Sequence, residues 1–298
     1  MNNYWGELAA LGTSVCWSAG SVSFTISSRL IGSNVVNRFR LVLALVFLSV
    51  VQIIIYHRFV PLSGALTQWF WFGLSGLVGF AIGDTLLFRS FVLIGPRLAM
   101  LLISLSPVFG TVFAWVVFHQ ALRLTQILAI VVTLAGVSAV VLDRPNGERP
   151  TGHYLDGVIC GVGAALCQAL GLVLSKKGLA GDFPALSGNI IRVFTATVIL
   201  WVMPFVHWTV PADFAKLKNL KASMTMISGA VFGPFLGVWM SLVSIQWSYI
   251  GIASTLQSLS PILLIPVAHW LFKERITLKA IVGTVIAVAG VAMIFLFK

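Results

Sequence analysis

Charged side chains are scarce in this chain: Asp, Glu, Lys and Arg make up only 9% of its 298 residues, whereas 59% are hydrophobic. Soluble domains carry about a quarter charged residues. A soluble domain of this length could not bury so much apolar surface, so the composition indicates a protein surrounded by lipid. The net charge of +11 comes from basic residues scattered between apolar runs. Without a basic stripe we expect no nucleic-acid partner, and such residues are typical of contacts with lipid headgroups.

Cysteine and catalytic motifs are equally scarce. The three cysteines, Cys16, Cys160 and Cys167, all fall within apolar runs. They form neither a CxxC pair nor a disulfide framework. The sequence also lacks HExxH, GxSxG, a P-loop and a GxGxxG that follows a strand. We therefore expect no cofactor, no metal site and no catalytic centre, and the missing ATP site argues against a primary pump.

Long apolar runs dominate what is present. A membrane-spanning helix needs about 20 apolar residues, and the alternating pattern of a membrane β-barrel is absent. The first run is too long for a removed signal peptide and lacks a basic start, so we expect a retained span. The sequence predicts an all-α integral membrane protein with ten transmembrane helices, at 4–27, 36–56, 69–91, 97–118, 124–142, 154–175, 189–208, 223–247, 250–272 and 276–297.

The two halves of the chain resemble each other. Residues 104–124, SLSPVFGTVFAWVVFHQALRL, align without gaps with residues 258–278, SLSPILLIPVAHWLFKERITL. The same offset of 154 positions that relates Pro107 to Pro261 also relates Gly79 to Gly233.

Each half holds five predicted helices, and an odd number turns the second unit upside down in the membrane. The sequence therefore predicts two inverted five-helix repeats, at 1–142 and 154–298, with 143–153 as the linker. Inverted repeats are typical of carriers that work by alternating access around a site between the repeats.

The duplicated five-helix unit, the SLSP segments and LFKERITLKAIVGTVIAVAGV at 271–291 resemble the EamA family of the drug/metabolite transporter superfamily. Glu274 matches an acidic position of the family, Gln120 replaces it in the first half, and Trp17 resembles the first-helix pattern. The resemblance implies a secondary transporter that exports amino acids, metabolites or drug-like compounds, often against protons. It also implies a bacterial inner membrane, with a small-molecule substrate, protons and membrane lipid as partners. Basic residues favour both chain termini outside, whereas the family implies both inside.

Asp84 leads the candidate site residues, within FAIGDTLLFRSF at 80–91. An ionised side chain inside a span costs a few kcal/mol and usually faces a partner or a wet cavity. The equivalent residue of the second half is Val238, so the repeat itself does not require the acid. Asp84 is either a proton or substrate site or one side of a structural salt bridge. Arg89, five positions on, is poorly spaced to be that partner, which leaves Thr85 or a neighbouring helix.

Four further residues occupy matching places in the two halves. Arg40 and Arg192 lie near the starts of the second and seventh predicted helices. They serve either as interface anchors or as forked partners of a substrate carboxylate. Trp17 and Gln168 lie near the middle of the first and sixth helices, where pocket lining and simple packing are both open.

Two alternatives to a coupled carrier remain at this point. The first is an uncoupled facilitative exchanger of the same fold, in which Asp84 is structural. The second is a membrane enzyme acting on lipid, which would need several convergent titratable groups. The polar residues of the later helices favour ordinary interhelical hydrogen bonds instead: Gln246, Gln257 and His269.

Overall fold

The computed structural model describes residues 4–57, 66–118, 123–143, 152–179, 183–238, 240–241, 244, 256–274 and 276–296. Within these ranges the chain is helical, with short turns and no strands. The α-helices of the described part are α1 (Trp5–Ile31), α2 (Ser33–Tyr56), α3 (Leu66–Gly76), α4 (Asp84–Ile103), α5 (Ser106–Phe118), α6 (Leu124–Leu142), α7 (Gly152–Gly178), α8 (Ala185–Val206), α9 (Val210–Lys216), α10 (Leu220–Ala230), α11 (Ser260–Phe272) and α12 (Leu278–Leu296).

In the described part of the chain, five helical stretches are long and apolar enough to cross a membrane. They are Ser33–Ile54, Leu66–Ile103, Leu124–Leu142, His153–Gly178 and Leu186–Val206. Two further apolar helices, α11 and most of α12, are shorter. The all-helical membrane architecture is confirmed in this coarse form, and ten spans stay a prediction. Residues 239, 242–243 and 245–255, from the end of the predicted eighth span to the start of the ninth, lie outside the described residues.

The region of the third and fourth predicted spans differs in detail from the prediction. A single apolar stretch of 38 residues, Leu66–Ile103, is broken at Gly95, whose φ of 79° and ψ of 166° are not helical. Glycine adopts positive φ without a steric penalty, and the following Pro96 fixes φ at a helical value while lacking an N–H. The break therefore falls between the two predicted spans. The short helix α9 was not predicted.

Two π-helical segments occupy equivalent positions in the halves. The first covers Leu77–Gly83 and the second Val231–Gly237, again 154 positions apart. At the end of the first, the N–H of Asp84 donates to the carbonyl of Gly79, five residues earlier. In the second, Pro234 has no N–H to donate, which removes one ordinary helical hydrogen bond.

Helices α6 and α12 occupy equivalent positions in the two halves and pack against each other through reciprocal contacts. Gly136 lies against Ala287, and Gly290 lies against Thr133, which are the same pair with the halves exchanged. Reciprocal contacts of this kind are what a two-fold relationship produces. Residue numbers rise along one helix as they fall along its partner, so the two helices run antiparallel.

The π-helical segments lie where one half packs against the other. A Cβ on Gly20 of α1 would lie 3.2 Å from Gly233 Cα, and a Cβ on Gly171 of α7 would lie 3.2 Å from Gly79 Cα. Glycine thus lets the first helix of each half approach the π-helical segment of the other half closely. This contact positions the polar residues described next.

Candidate polar site between the halves

Asp84 is the first residue after the first π-helical segment, and only 4% of it is exposed. One carboxylate oxygen accepts a hydrogen bond from Arg40 Nη2 at 2.5 Å. The other accepts from Gln168 Nε2 at 2.8 Å. These two partners lie on neighbouring helices, α2 and α7. A neighbouring helix was one of the two alternatives that the sequence left open, and Thr85 was the other. Both carboxylate oxygens are therefore occupied, one by each half of the chain.

Arg40 is buried inside the protein, with 8% of the residue exposed, rather than exposed as an interface anchor would be. Its Nη2 also donates to Asn37 Oδ1 at 3.1 Å, one helical turn earlier. The guanidinium carbon lies 5.1 Å from the ring centroid of Phe88 and 5.7 Å from that of Phe24. Cation–π contacts of this type add attraction in a desolvated place. Arg40 is thus held by a carboxylate, an amide and two rings.

Backbone carbonyls of the first π-helical segment take part in the same network. Asn37 Nδ2 donates to the carbonyl of Phe80 at 3.5 Å and to Thr85 Oγ1 at 3.1 Å. Gln168 Nε2 lies 3.5 Å from the carbonyl of Gly79. Single-turn π-helical insertions often occur at functional sites, because they change the direction of side chains and the pairing of carbonyls. Here the insertion aims Asp84 at the junction of the halves.

Arg192, on α8, approaches the same carboxylate from the second half. Its guanidinium carbon lies 4.5 Å from the ring centroid of Phe80, and its Nη2 would be 3.4 Å from a Cβ on Gly79. It interacts electrostatically with Asp84. Its buried Nε has no hydrogen-bond acceptor among the described residues. The structure therefore brings together four of the five predicted site residues: Asp84, Arg40, Gln168 and Arg192. We call these four the central cluster.

Trp17 occupies the position equivalent to Gln168 but contacts the other π-helical segment. A Cβ on Gly237 would lie 2.6 Å from Trp17 Cδ1. In the second half Val238 replaces the carboxylate that Gln168 binds in the first. The described contacts of Trp17 therefore place it at the apolar counterpart of the central cluster rather than within it.

Asn37 is the main member of the network that sequence reasoning missed. A signal existed: Asn37 and Arg40 form an Asn-x-x-Arg motif that recurs as Asn189 and Arg192. Of the later polar residues, Gln257 donates to Ser244 Oγ at 2.7 Å, and His269 Nδ1 lies 3.1 Å from the carbonyl of Glu274. Gln246 lies outside the described residues.

Polar contacts between the halves also collect at one end of the helix bundle. Arg97 Nε lies 3.2 Å from Glu274 Oε2, and Arg38 forms an ion pair with Asp213, which is buried. We call this end, where α1, the Gly95 break and the end of α11 meet, the Glu274 face. The sequence indicated Glu274 only as a match to an acidic position of the family that it resembles. Within the described residues, no group of three or more His, Cys, Asp and Glu side chains could hold a metal ion.

Comparison with known proteins identifies related chains. The EamA-like transporter family matches residues 4–142 and 155–296, that is, both halves. An uncharacterized transporter of Haemophilus influenzae (strain ATCC 51907 / DSM 11121 / KW20 / Rd) is 25% identical over 219 residues, which are 72% of this chain and 67% of the relative. A protein of known crystal structure shares the fold, with a TM-score of 0.63 and 14% identity over 97% of this chain and 95% of its own. The family resemblance drawn from the sequence is confirmed.

Proposed function

We propose that this chain, which belongs to the EamA-like transporter family and is thus a multi-pass membrane transporter, exports a small metabolite from a bacterial cell by alternating access. Family membership points to a transporter and not to an enzyme, and implies a small-molecule substrate. The finer proposal is a secondary carrier in the inner membrane that moves an amino acid or drug-like compound outward, with protons as the candidate coupling ion.

The proposed architecture is ten spans in two inverted repeats, 1–142 and 154–298, joined by 143–153. The antiparallel packing of α6 on α12 through reciprocal contacts supports it. The two π-helical segments at equivalent positions support it as well. In such an arrangement, rocking of one half against the other exposes a central site to alternate sides of the membrane.

The central cluster carries the proposal at residue level. Asp84 is buried where the halves meet and is bound by Arg40 of its own half and Gln168 of the other. Any motion between the halves changes the partners of this carboxylate. A buried acid whose surroundings change during transport is suited to take up and release a proton or to anchor the substrate. We therefore assign Asp84 the coupling or anchoring role.

An uncoupled exchanger is the second candidate, and one observation favours it. The ion pair of Asp84 with Arg40, with an Nη2 to Oδ2 distance of 2.5 Å, stabilises the charged carboxylate. A carboxylate that stays charged throughout the cycle would be a structural element and would carry no proton. Transport driven by a pH gradient separates the two candidates.

The test uses the substrate found by screening for growth resistance to toxic amino-acid analogues, loaded with a label into proteoliposomes. For a coupled carrier, Asp84→Asn abolishes flux driven by a pH gradient but retains counterflow between equal pH values. Asp156→Asn, the same change at an exposed position of α7, leaves both intact. Unchanged pH-driven flux in Asp84→Asn would refute the coupling role. Chemical conversion of the label instead of movement would support a membrane enzyme.

A further inference from the structure

We propose that Arg192 is the anion receptor of this carrier and binds the carboxylate of a small monocarboxylic acid with an apolar body. The inference rests on the proposed carrier function and names the class of its substrate. It follows from a charge imbalance in the central cluster, from an asymmetry between the halves, and from the rings that surround the guanidinium groups.

The charges of the central cluster do not balance. Arg40 and Arg192 contribute two positive charges, and Asp84 contributes the one negative charge that interacts with both. Asp84 is bonded directly to Arg40 at 2.5 Å, whereas the described contacts of the Arg192 guanidinium are the ring of Phe80 and Gly79. The buried Nε of each arginine has no hydrogen-bond acceptor among the described residues. An uncompensated cation in an apolar interior is unfavourable unless a partner arrives. One bound anion would neutralise the cluster.

The repeats explain why the partner is missing. Each half carries an Asn-x-x-Arg motif, which ends at Arg40 in the first and at Arg192 in the second. The carboxylate that serves Arg40 is Asp84, and the equivalent position in the second half is Val238. The first half thus supplies its own counterion, whereas the second half does not. The carboxylate of a substrate would serve as the counterion of Arg192, since a guanidinium fork matches two carboxylate oxygens.

The surroundings restrict the rest of the ligand. Phe80 packs on the guanidinium of Arg192 with its ring centroid at 4.5 Å. Phe24 and Phe88, which pack on the neighbouring Arg40, are buried in the core with 5% and 2% of each residue exposed. Phe80 is half-buried, so it is the ring beside Arg192 that favours an apolar ligand body next to a single compact charge. A dicarboxylate would bring a second negative charge that the cluster does not balance, so monocarboxylates should bind more strongly.

The binding test uses the full chain in lipid nanodiscs and follows its thermal unfolding with acetate, benzoate and phenylacetate, each compared with its neutral amide. We expect at least one acid to raise Tm by roughly 3–5 °C at saturation, with no shift from its amide. Arg192→Gln should lose at least nine tenths of the response. Arg192→Lys should keep a weak one, because it preserves the charge without the fork.

The unfolding temperatures of the variants without added acid show whether a lost response reflects misfolding. Without added acid, Arg192→Gln should unfold at the same temperature as the unmodified chain or higher, because it removes an uncompensated cation. Arg123→Gln, an exposed position before α6, should behave like the unmodified chain throughout. The proposal is overturned if none of the three acids exceeds its amide, or if Arg192→Gln responds to the acids as the unmodified chain does.

Proteoliposome flux distinguishes this inference from the carrier proposal. An acid that binds through Arg192 but never crosses the membrane contradicts the carrier and leaves the anion receptor standing. Transport of a neutral or cationic metabolite that Arg192→Gln does not impair contradicts the anion receptor and leaves the carrier standing. Transport of the bound acid, lost in Arg192→Gln, supports both.

Discussion

At the scale of single residues, Arg40 and Asp84 form a buried ion pair whose members depend on each other. Loss of Arg40 leaves the buried carboxylate without its direct donor, and Arg192, which interacts with the same carboxylate, compensates the charge only in part. We expect Arg40→Gln to lower the unfolding free energy by about 1–3 kcal/mol, measured by denaturant titration in micelles. Asp84→Asn, which leaves both guanidinium groups without that counterion, should lower it by more, about 3–5 kcal/mol. An Arg40→Gln protein as stable as the unmodified chain would contradict the importance of the pair.

Sequence reasoning identified Asp84 as unusual because a carboxylate stood out within an apolar run. It did not identify Arg40 as its partner, because the two residues are 44 positions apart on different helices. Such a pairing depends on how α2 and α4 pack, which periodicity does not encode. Gln168 was selected because its position matches that of Trp17. Its contact with Asp84 joins the two halves of the chain, so the local sequence could not predict this contact either.

At the scale of helices, close packing of α6 on α12 depends on glycine. A Cβ on Gly136 would overlap the backbone of Ala287, which belongs to the partner helix. We expect Gly136→Ala to destabilise the protein by about 1–3 kcal/mol, because an overpacked contact forces the helices apart. Thermal unfolding in nanodiscs measures the loss. Gly110→Ala is the matched control, since a Cβ at Gly110 meets nothing within 4 Å. Equal stability of the two variants would contradict this account.

Helix boundaries could be predicted best where polar residues flank an uninterrupted apolar run, as at 124–142, which coincides with α6. The π-helical segments could not be predicted. Their sequences, LVGFAIG and VFGPFLG, resemble ordinary apolar helix that contains glycines or a proline. One extra residue in a helical turn does not change the spacing of apolar residues enough to be recognised. The antiparallel packing of α6 on α12 is what an odd number of helices in each repeat would produce, and five helices in each repeat stays a prediction.

At the scale of the whole molecule, the two ends of the helix bundle are joined by different chemistry. At the Glu274 face, ion pairs link the halves, such as Arg97 with Glu274. Near the opposite ends of the helices, the described contacts between the halves include no ion pair: Gln52 Nε2 donates to Ser187 Oγ at 3.0 Å, and Lys177 Nζ lies 4.8 Å from the ring centroid of Trp71. The equivalents of Arg97 and Glu274 are Gly251 and Gln120, which cannot form an ion pair. The contacts that join the two halves therefore differ between the Glu274 face and the opposite end of the bundle.

This asymmetry predicts that Glu274→Gln opens the Glu274 face. Cys167 reports opening, because it is half-buried beside the central cluster and a Cβ on Gly83 would lie 3.0 Å from its Cβ. In a background with Cys16→Ser and Cys160→Ser, a membrane-impermeant maleimide is applied to right-side-out and inside-out vesicles. We expect labelling of Cys167 to rise several-fold in one vesicle type only, because loss of the ion pair favours the state open to that face.

Two further variants make this result specific to the Arg97–Glu274 pair. The charge-reversed pair Arg97→Glu with Glu274→Arg should return labelling toward that of the parent, since the attraction is restored. Lys216→Gln removes an ion pair with Asp213 at the same face, but Lys216 is exposed and such pairs contribute little, so its labelling should not change. Increased labelling in both vesicle types would indicate general loosening of the fold, and unchanged labelling in Glu274→Gln would show that the pair does not hold this face closed.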